Sequence, residues 1–132
     1  MNAAVFWQTT LQAAALFAST GLSIWTVVTA RTRRGVPGSA AFSWMMLAVA
    51  LWTFTSAMHT IVADTGTRIL IAKFQYLGVA PIGALWLLFT GHYSRASWTQ
   101  DHLLRAAIWV VPVITLVLAA TNESHHVYWA AI

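Results

Sequence analysis

Four long apolar segments, separated by short polar turns, constrain this chain more than any other feature of its sequence. They cover residues 3–30, 40–63, 69–93 and 103–120. Each has close to the roughly 20 apolar residues that a helix needs to cross the hydrocarbon core of a bilayer. The segments show no period-two alternation, and an open sheet cannot satisfy its backbone in lipid. The pattern predicts an all-α, polytopic membrane protein with four transmembrane helices.

The composition contains too few charges to cover the surface of a soluble domain. Of the 132 residues, 59% are hydrophobic and 8% are charged, whereas soluble domains have about 25% charged residues. We therefore expect residues 1–132 to form a single transmembrane domain with no soluble domain. The N-terminus lacks the basic region of a signal peptide, so the first helix is expected to be retained. The absence of cysteine excludes disulfides and thiolate metal sites.

The positions of the basic residues predict the orientation in the membrane. They lie mainly at the ends of apolar runs, where they meet lipid headgroups, and do not cluster along one face as in a nucleic-acid binder. We therefore expect the lipid bilayer as a partner and no nucleic acid. Basic residues mark the cytoplasmic side, and most lie in the first and third loops: Arg31, Arg33, Arg34, Arg95 and Arg105. The prediction is a multi-pass protein of the cytoplasmic (inner) membrane with both termini outside.

With this topology, the unusual polar residues of the helices gather towards the outer face. Ionisable groups at membrane depth cost about 2.5–3.5 kcal/mol, so they tend to face a protein interior or a wet cavity. We therefore predict a ligand-binding pocket whose candidate residues are His59, Lys73, Gln75, Tyr76, Asn122, Glu123, His125 and His126. The alternative is interfacial: Lys73 can extend to the headgroups, and the residues after helix four can lie in water. His59 needs a partner from another helix, with Gln75 the first candidate and Tyr76 the second.

A second group of residues predicts irregular or close-packed helices. The candidate hinge or packing positions are Gly78, Pro81, Gly83 and Pro112. Pro81 removes one helical hydrogen bond and is expected to kink helix three. Such a kink is compatible with ordinary packing between helices or with a role as a hinge. The spacing of Ala80 and Ala84, like that of Ala14 and Ala18, is typical of close contact between helices.

The sequence offers no suitable set of residues for a metal site, a cofactor site or an active site. His125 and His126 are adjacent and would point apart on a helix or a strand. His59 and His92 are predicted near opposite membrane faces, so they cannot share a haem. The sequence also has no phosphate-binding glycine loop and no nucleophile elbow. We expect no metal, no cofactor, no catalytic residue and no enzymatic activity in this chain.

Three stretches, at residues 37–52, 72–89 and 112–129, together resemble the N-terminal seven-helix (7TM) region of sensor histidine kinases. Their most specific parts are Lys73-Phe-Gln-Tyr-Leu-Gly78 and Thr121-Asn-Glu-Ser-His-His126. The resemblance runs from about Arg31 to the end and implies the first four of seven helices, with the N-terminus outside. The family's motif residues correspond to Lys73, Gln75, Tyr76, Gly78, Pro81, Trp86, Asn122, Glu123, His125 and His126.

The resemblance implies a non-catalytic, signal-sensing input domain of a two-component system. Its stimulus would be an unidentified small molecule or a change in the membrane. A homo-oligomer, or the remaining helices, would complete the domain. Two other interpretations stay open: a small oligomeric transporter or channel subunit, and a quinone- or haem-binding subunit that uses His59. The helix centres lack the polar rings that a transport pathway needs.

Overall fold

The fold is entirely helical over the residues that the structure, a computed structural model, describes: 3–32 and 35–125, without the side chains of Glu123 and His125. These ranges contain no strand. The elements are α1 (Ala3–Thr32), α2 (Ser39–Ile61), α3 (Thr65–Val79), α4 (Ile82–Tyr93), a 3₁₀ helix (Ser97–Gln100), α5 (His102–Ile108), α6 (Val110–Ala120) and α7 (Asn122–His125). Four helical spans have the length and composition to cross a membrane: α1, α2, α3 with α4, and α5 with α6. The predicted all-α fold with four transmembrane helices is confirmed.

Helix α2 is the central element of the bundle. It packs against α1 on one side and against α3 and α4 on the other, whereas α6 contacts α3. The central helix is also the most buried one: 33% of the apolar stretch of α2 is buried, whereas 11% of the apolar stretch of the fourth span is buried. The fourth span therefore lies at the periphery of the described bundle, with most of its apolar surface uncovered.

The contact between α1 and α2 is built from small and hydroxyl-bearing side chains. The buried residues of α1 are Ala13, Thr20, Ser23 and Val27. At the centre of the interface, the hydroxyl oxygens of Thr20 and Thr53 lie 2.9 Å apart in a buried hydrogen bond. Such bonds between membrane helices contribute about 0.6 kcal/mol on average. Ala14 and Ala18, which the sequence predicted at a contact, are exposed because the helical period turns their face away from α2. Of the other predicted pair, Ala84 is buried and Ala80 is half-buried.

The other side of α2 packs closely on the third span. Met45, Ala48 and Leu85 form a buried apolar cluster between α2 and α4. Next to it, Gly78 of α3 lies directly against the α2 backbone. A Cβ atom built on Gly78 would come within 2.6 Å of the Trp52 amide nitrogen and 2.9 Å of the Ala48 carbonyl oxygen. The contact therefore requires a residue with no side chain.

The first turn of α2 follows a glycine. Ser39 is the first helical residue, and Gly38 is the cap, with a left-handed φ of 83°. Gly38 tolerates this conformation because it lacks a Cβ. A side chain there would also come within 3.0 Å of the Phe89 carbonyl oxygen, so the turn packs closely on α4.

The third span begins earlier than predicted. Residues 65–68, which the sequence placed in a turn, are the first helical turn of α3. Asp64 makes this possible as the N-cap, since its carboxylate accepts hydrogen bonds from the Thr67 amide and the Thr67 hydroxyl, both at 2.7 Å. These two bonds hold the pKa of the Asp64 carboxyl below its ordinary value of 3.8.

The third and fourth spans are each interrupted near a proline. Helix α3 ends at Val79 and α4 begins at Ile82, on either side of Pro81. Helices α5 and α6 meet at Trp109, three residues before Pro112, where the Trp109 amide donates to the carbonyl of Ala106. A proline has no N–H for the carbonyl four residues earlier, and its ring crowds that carbonyl. The break in the fourth span therefore lies one turn before its proline.

Candidate functional site

We define the polar end of the bundle as the end where α2 ends at Ile61, α3 begins at Thr65 and α6 ends at Ala120. Five of the candidate residues lie in the described helices at this end: His59, Lys73, Gln75, Tyr76 and Asn122. His126 lies outside the described residues, as do the side chains of Glu123 and His125. The polar end is therefore described mainly through α2, α3 and the end of α6.

Gln75 links α3 to α2. Its side-chain amide nitrogen donates to the hydroxyl oxygen of Ser56 at 2.9 Å, and both side chains are half-buried. The Ser56 hydroxyl in turn donates to the Trp52 carbonyl at 2.7 Å. A polar chain thus runs from α3 into the α2 backbone. In an apolar surrounding, breaking such a chain leaves polar groups without partners, which is costly.

Lys73 links α3 to the end of the fourth span. Its ammonium nitrogen lies 3.5 Å from the carbonyl oxygen of Ala120, the last residue of α6. The distance is long for a hydrogen bond, so much of the attraction is electrostatic. A cation is favoured at this position because the carbonyl groups at the end of a helix carry partial negative charge.

The two links leave α3 on different sides. Lys73 and Gln75 are two residues apart, so their side chains diverge by about 200° around the helix axis. Gln75 accordingly reaches α2, while Lys73 reaches α6. Helix α3 is thus held between two neighbours, and its polar contacts include these two.

Asn122 is the most deeply buried of the candidate residues. Its exposure is 0%, directly after the end of α6. Among the described residues, every buried side-chain nitrogen or oxygen has a hydrogen-bond partner. The amide of Asn122 is therefore part of the packed structure at the polar end, where it follows the α6 carbonyls that Lys73 approaches.

His59 and Tyr76 are half-buried. The sequence proposed Gln75 as the first partner of His59, but the Gln75 amide donates to Ser56, one turn earlier on α2. Within the described ranges, no side-chain hydrogen bond joins His59 to another residue. His59 therefore lies one turn beyond the polar chain, near the end of α2.

The four hinge or packing candidates differ in their surroundings. Gly78 is buried against α2, whereas a Cβ on Gly83 would meet nothing within 4 Å. Pro81 lies between them at the break of the third span, and Pro112 is buried in α6. The tightest contact of α3 thus comes directly before its break.

Sequence reasoning missed two residues that the structure brings into polar contacts. Ser56 was not proposed as a partner of Gln75, and the Ala120 carbonyl was not proposed for Lys73. The position of Ser56, one turn before His59 on an apolar helix, was a usable signal. A backbone carbonyl at a helix end has no comparable signature in the sequence.

The described side chains do not form a metal-binding cluster. Among the described side chains, which do not include those of Glu123, His125 and His126, no three from His, Asp or Glu come together. The described side chains at the polar end offer amide, hydroxyl, imidazole and ammonium groups, which can form hydrogen bonds.

The family model described as the N-terminal 7TM region of histidine kinase matches residues 13–132. The chain belongs to this family. Comparison with curated proteins and comparison with solved structures gave no significant match. The resemblance predicted from the sequence is confirmed, and it covers the polar end, the Gly78 contact and both helix breaks.

Membership in the histidine kinase 7TM family identifies the chain as part of the membrane region of a signalling protein. The four described spans fit that assignment by length and composition. The chain is therefore a membrane protein, and the family's 7TM region is the input part of its kinases rather than the part that performs catalysis.

Proposed function

We propose that this chain is a sensing region in which a stimulus at the polar end changes how α3 packs between α2 and α6. The change would pass along the third span, across the membrane, to a kinase. The single observation that carries this proposal is the attachment of α3 by Gln75 to Ser56 and by Lys73 to Ala120. A ligand that competes for either contact alters the balance between two arrangements of α3.

The interior of the third span supports a two-state movement. Gly78 locks one register of α3 on α2, because the backbones are in direct contact. Pro81 follows three residues later and interrupts the helix, so the missing hydrogen bond makes this the point at which α3 and α4 can change their relative orientation. A stimulus shifts such an equilibrium only by its differential affinity for the two arrangements.

The loop charges support an outward-facing polar end in the cytoplasmic membrane. Arg31 lies in the last turn of α1 and Arg95 follows α4, both at the opposite end of the bundle, and basic residues mark the cytoplasmic side. The signal would thus enter from outside. Phosphotransfer would be carried out by a cytoplasmic kinase domain and not by this region.

The test restrains α3 against α2 and measures kinase output. These 132 residues contain no cysteine, so Ser56→Cys and Gln75→Cys introduce one thiol pair at the contact, in a kinase whose cysteines elsewhere are replaced by serine. A short bis-methanethiosulfonate joins the pair through two disulfides, with loss of methanesulfinate, in membranes that contain the complete histidine kinase, and a reductant cleaves it. We expect autophosphorylation to change at least threefold on cross-linking and to return after the linker is cleaved.

A second cysteine pair is the control that distinguishes an effect of restraining α3 from a general effect of cross-linking two helices. Thr20→Cys and Thr53→Cys join α1 to α2 across a contact that does not involve α3. This pair is expected to leave the autophosphorylation rate within twofold of its uncross-linked value. If complete cross-linking of α2 to α3 leaves the rate unchanged, the proposed role of α3 is wrong.

A further inference from the structure

A cavity lies between the end of α1 and the beginning of α2, at the end of the bundle opposite to the polar end. Its volume is about 400 Å³, and it is lined by Ala30, Arg31, Ser39, Ala40, Ser43 and Trp44. We refer to it as the α1–α2 cavity. The two spans have 30 and 23 residues, more than the roughly 20 that cross the hydrocarbon core. Their paired ends, and the cavity between them, therefore lie at the level of the lipid headgroups.

The guanidinium of Arg31 is positioned at this cavity by the indole of Trp44. Its central carbon lies 5.8 Å from the centroid of the Trp44 ring, which is a cation–π contact. Within the described ranges, the guanidinium forms no hydrogen bond and no ion pair with another residue. Its five N–H groups can therefore donate to a ligand.

The two serines of the cavity differ in how their hydroxyl groups are used. Ser43 is 3% exposed, and its hydroxyl donates to the Ser39 carbonyl at 2.8 Å. Ser39 is half-buried, and its own hydroxyl has no hydrogen-bond partner among the described residues. The Ser39 hydroxyl and the Arg31 guanidinium line the same cavity, so both can donate to the oxygens of one anion.

The positive charge at the cavity has no acidic counterpart in the first two spans or in the loop between them. Residues 1–63 contain Arg31, Arg33 and Arg34 but no Asp or Glu. At the same end of the bundle, the carboxylate of Asp101 accepts from the amides of Leu103 and Leu104 as the N-cap of α5. Anionic lipids are attracted to basic residues beside a span. The charge therefore favours an anion that belongs to the membrane.

Trp44 also lines an apolar groove that lies deeper in the bundle. This groove has a volume of about 470 Å³, and its walls include Leu47 and Leu51 of α2 and Pro81 at the break of the third span. Trp44 lies five positions after Ser39, which corresponds to about 7.5 Å along α2. A ligand that fills both spaces needs a negatively charged head and an apolar chain.

We propose that the α1–α2 cavity binds the headgroup of an anionic phospholipid, with its phosphate at Arg31 and Ser39 and one acyl chain in the groove at Trp44. A guanidinium can pair with two phosphate oxygens at once. A soluble phosphate would occupy the cavity but leave the groove unfilled. The site goes beyond the proposed sensing function, because it lies at the other end of the bundle and does not depend on movement of α3.

The net charge of the headgroup determines which phospholipid is preferred. Phosphatidylcholine carries the same phosphate as phosphatidylglycerol, but its choline brings a second positive charge close to the Arg31 guanidinium. Like charges at short distance repel each other, and the repulsion is stronger where water is partly excluded. The glycerol of phosphatidylglycerol is neutral, so we expect this lipid to bind more tightly.

The experiment counts lipids bound to the full chain by native mass spectrometry from a mild non-ionic detergent, with dioleoyl phosphatidylglycerol as the probe. We expect the first phosphatidylglycerol to bind at least tenfold more tightly than dioleoyl phosphatidylcholine. Arg31→Gln is expected to weaken its binding at least fivefold. Arg31→Lys is expected to weaken it about threefold, since lysine keeps the charge but loses the paired contact with the phosphate.

Three further measurements keep the result interpretable. Arg105→Gln is the matched control, because it removes one positive charge from an exposed position of α5 at the same end but outside the cavity. It should leave the affinity for phosphatidylglycerol within twofold. Ala40→Leu narrows the cavity without changing its charge, so it should weaken binding at least fivefold even if Arg31→Gln fails to fold. Glycerol phosphate in large excess should not displace the lipid, because it has no chain for the groove.

Three outcomes would overturn the proposal. Equal affinity for phosphatidylglycerol and phosphatidylcholine would show that the headgroup charge is not recognised. Equal weakening by Arg105→Gln and Arg31→Gln would show a general attraction of anionic lipid to the basic end of the bundle. Displacement of the lipid by glycerol phosphate would assign the cavity to a soluble anion.

Discussion

Gly78 lies so close to Trp52 that a Cβ atom on the glycine would come within 2.6 Å of the tryptophan amide nitrogen. Backbone meets backbone at this point, and neither neighbour can move as a flexible side chain would. This contact sets the register of α3 on α2, and it lies three residues before the break at Pro81. The polar end and the break are therefore connected through a rigid contact.

Replacing Gly78 by alanine is expected to destabilise the α2–α3 contact by about 1–3 kcal/mol, because overpacking forces the backbones apart. The measurement is the free energy of unfolding in mixed micelles, followed by circular dichroism. Gly83→Ala is the matched control, since a Cβ there meets nothing within 4 Å. It should be neutral or stabilising by up to about 1 kcal/mol, as alanine favours the helix. Equal destabilisation by both variants would contradict the close packing at Gly78.

The hydrogen bond from Gln75 to Ser56 is expected to couple α3 to α2 energetically. Gln75→Leu, Ser56→Ala and the double variant form a cycle whose coupling energy should be about 0.5–2 kcal/mol. The readout is again the free energy of unfolding in micelles. Thr60→Ala with Gln75→Leu serves as the control cycle, because Thr60 bonds within its own helix to the Ser56 carbonyl. A control coupling as large as the test coupling would refute a direct link.

The first turn of α3 is expected to loosen at acidic pH. Bonds from Thr67 lower the pKa of Asp64 below 3.8, so the charged carboxylate is favoured when the helix is folded. Its stabilisation is complete above the ordinary pKa and is lost as the pH falls through the lowered value. Hydrogen exchange of the Thr67 amide should therefore gain protection as the pH rises from 2 to 5, after correction for intrinsic rates.

Asp64→Asn provides the control for that titration. Asparagine retains the side-chain oxygen that caps the helix but has no ionisable group. The corrected protection of the Thr67 amide should then be independent of pH over the same range. If the variant keeps the full pH dependence, another group is responsible for it.

The predicted orientation can be tested by labelling cysteines placed at two exposed glycine positions. Gly66 lies at the polar end and Gly35 in the loop between α1 and α2, at the opposite end of the bundle. In intact cells, a membrane-impermeant maleimide should label Gly66→Cys and spare Gly35→Cys. Opening the membrane should allow both to react. The reverse pattern would place the polar end in the cytoplasm and contradict the rule that basic loops stay inside.

The sequence alone predicted those features of the protein that depend on a single segment or a single residue. The apolar length of each segment determined the four spans, since lipid leaves the backbone no other hydrogen-bond partners. The polar stretch around Lys73 and Gln75 indicated the family, which the match to residues 13–132 establishes. Pro81 predicted an interruption of the third span, because a proline has no backbone N–H to donate to a helical hydrogen bond.

Contacts between helices were decided by the tertiary structure. The sequence marked Ala14 and Ala18 for a helix contact, but the rotation of α1 buries Ala13 and Thr20 instead. It also offered His59 as a partner for Gln75, whereas the position of α2 presents Ser56. Composition and period determine which segments enter the membrane, because lipid acts on each segment by itself. Which faces meet depends on packing between segments, and that is a property of pairs of helices that no single stretch of sequence contains.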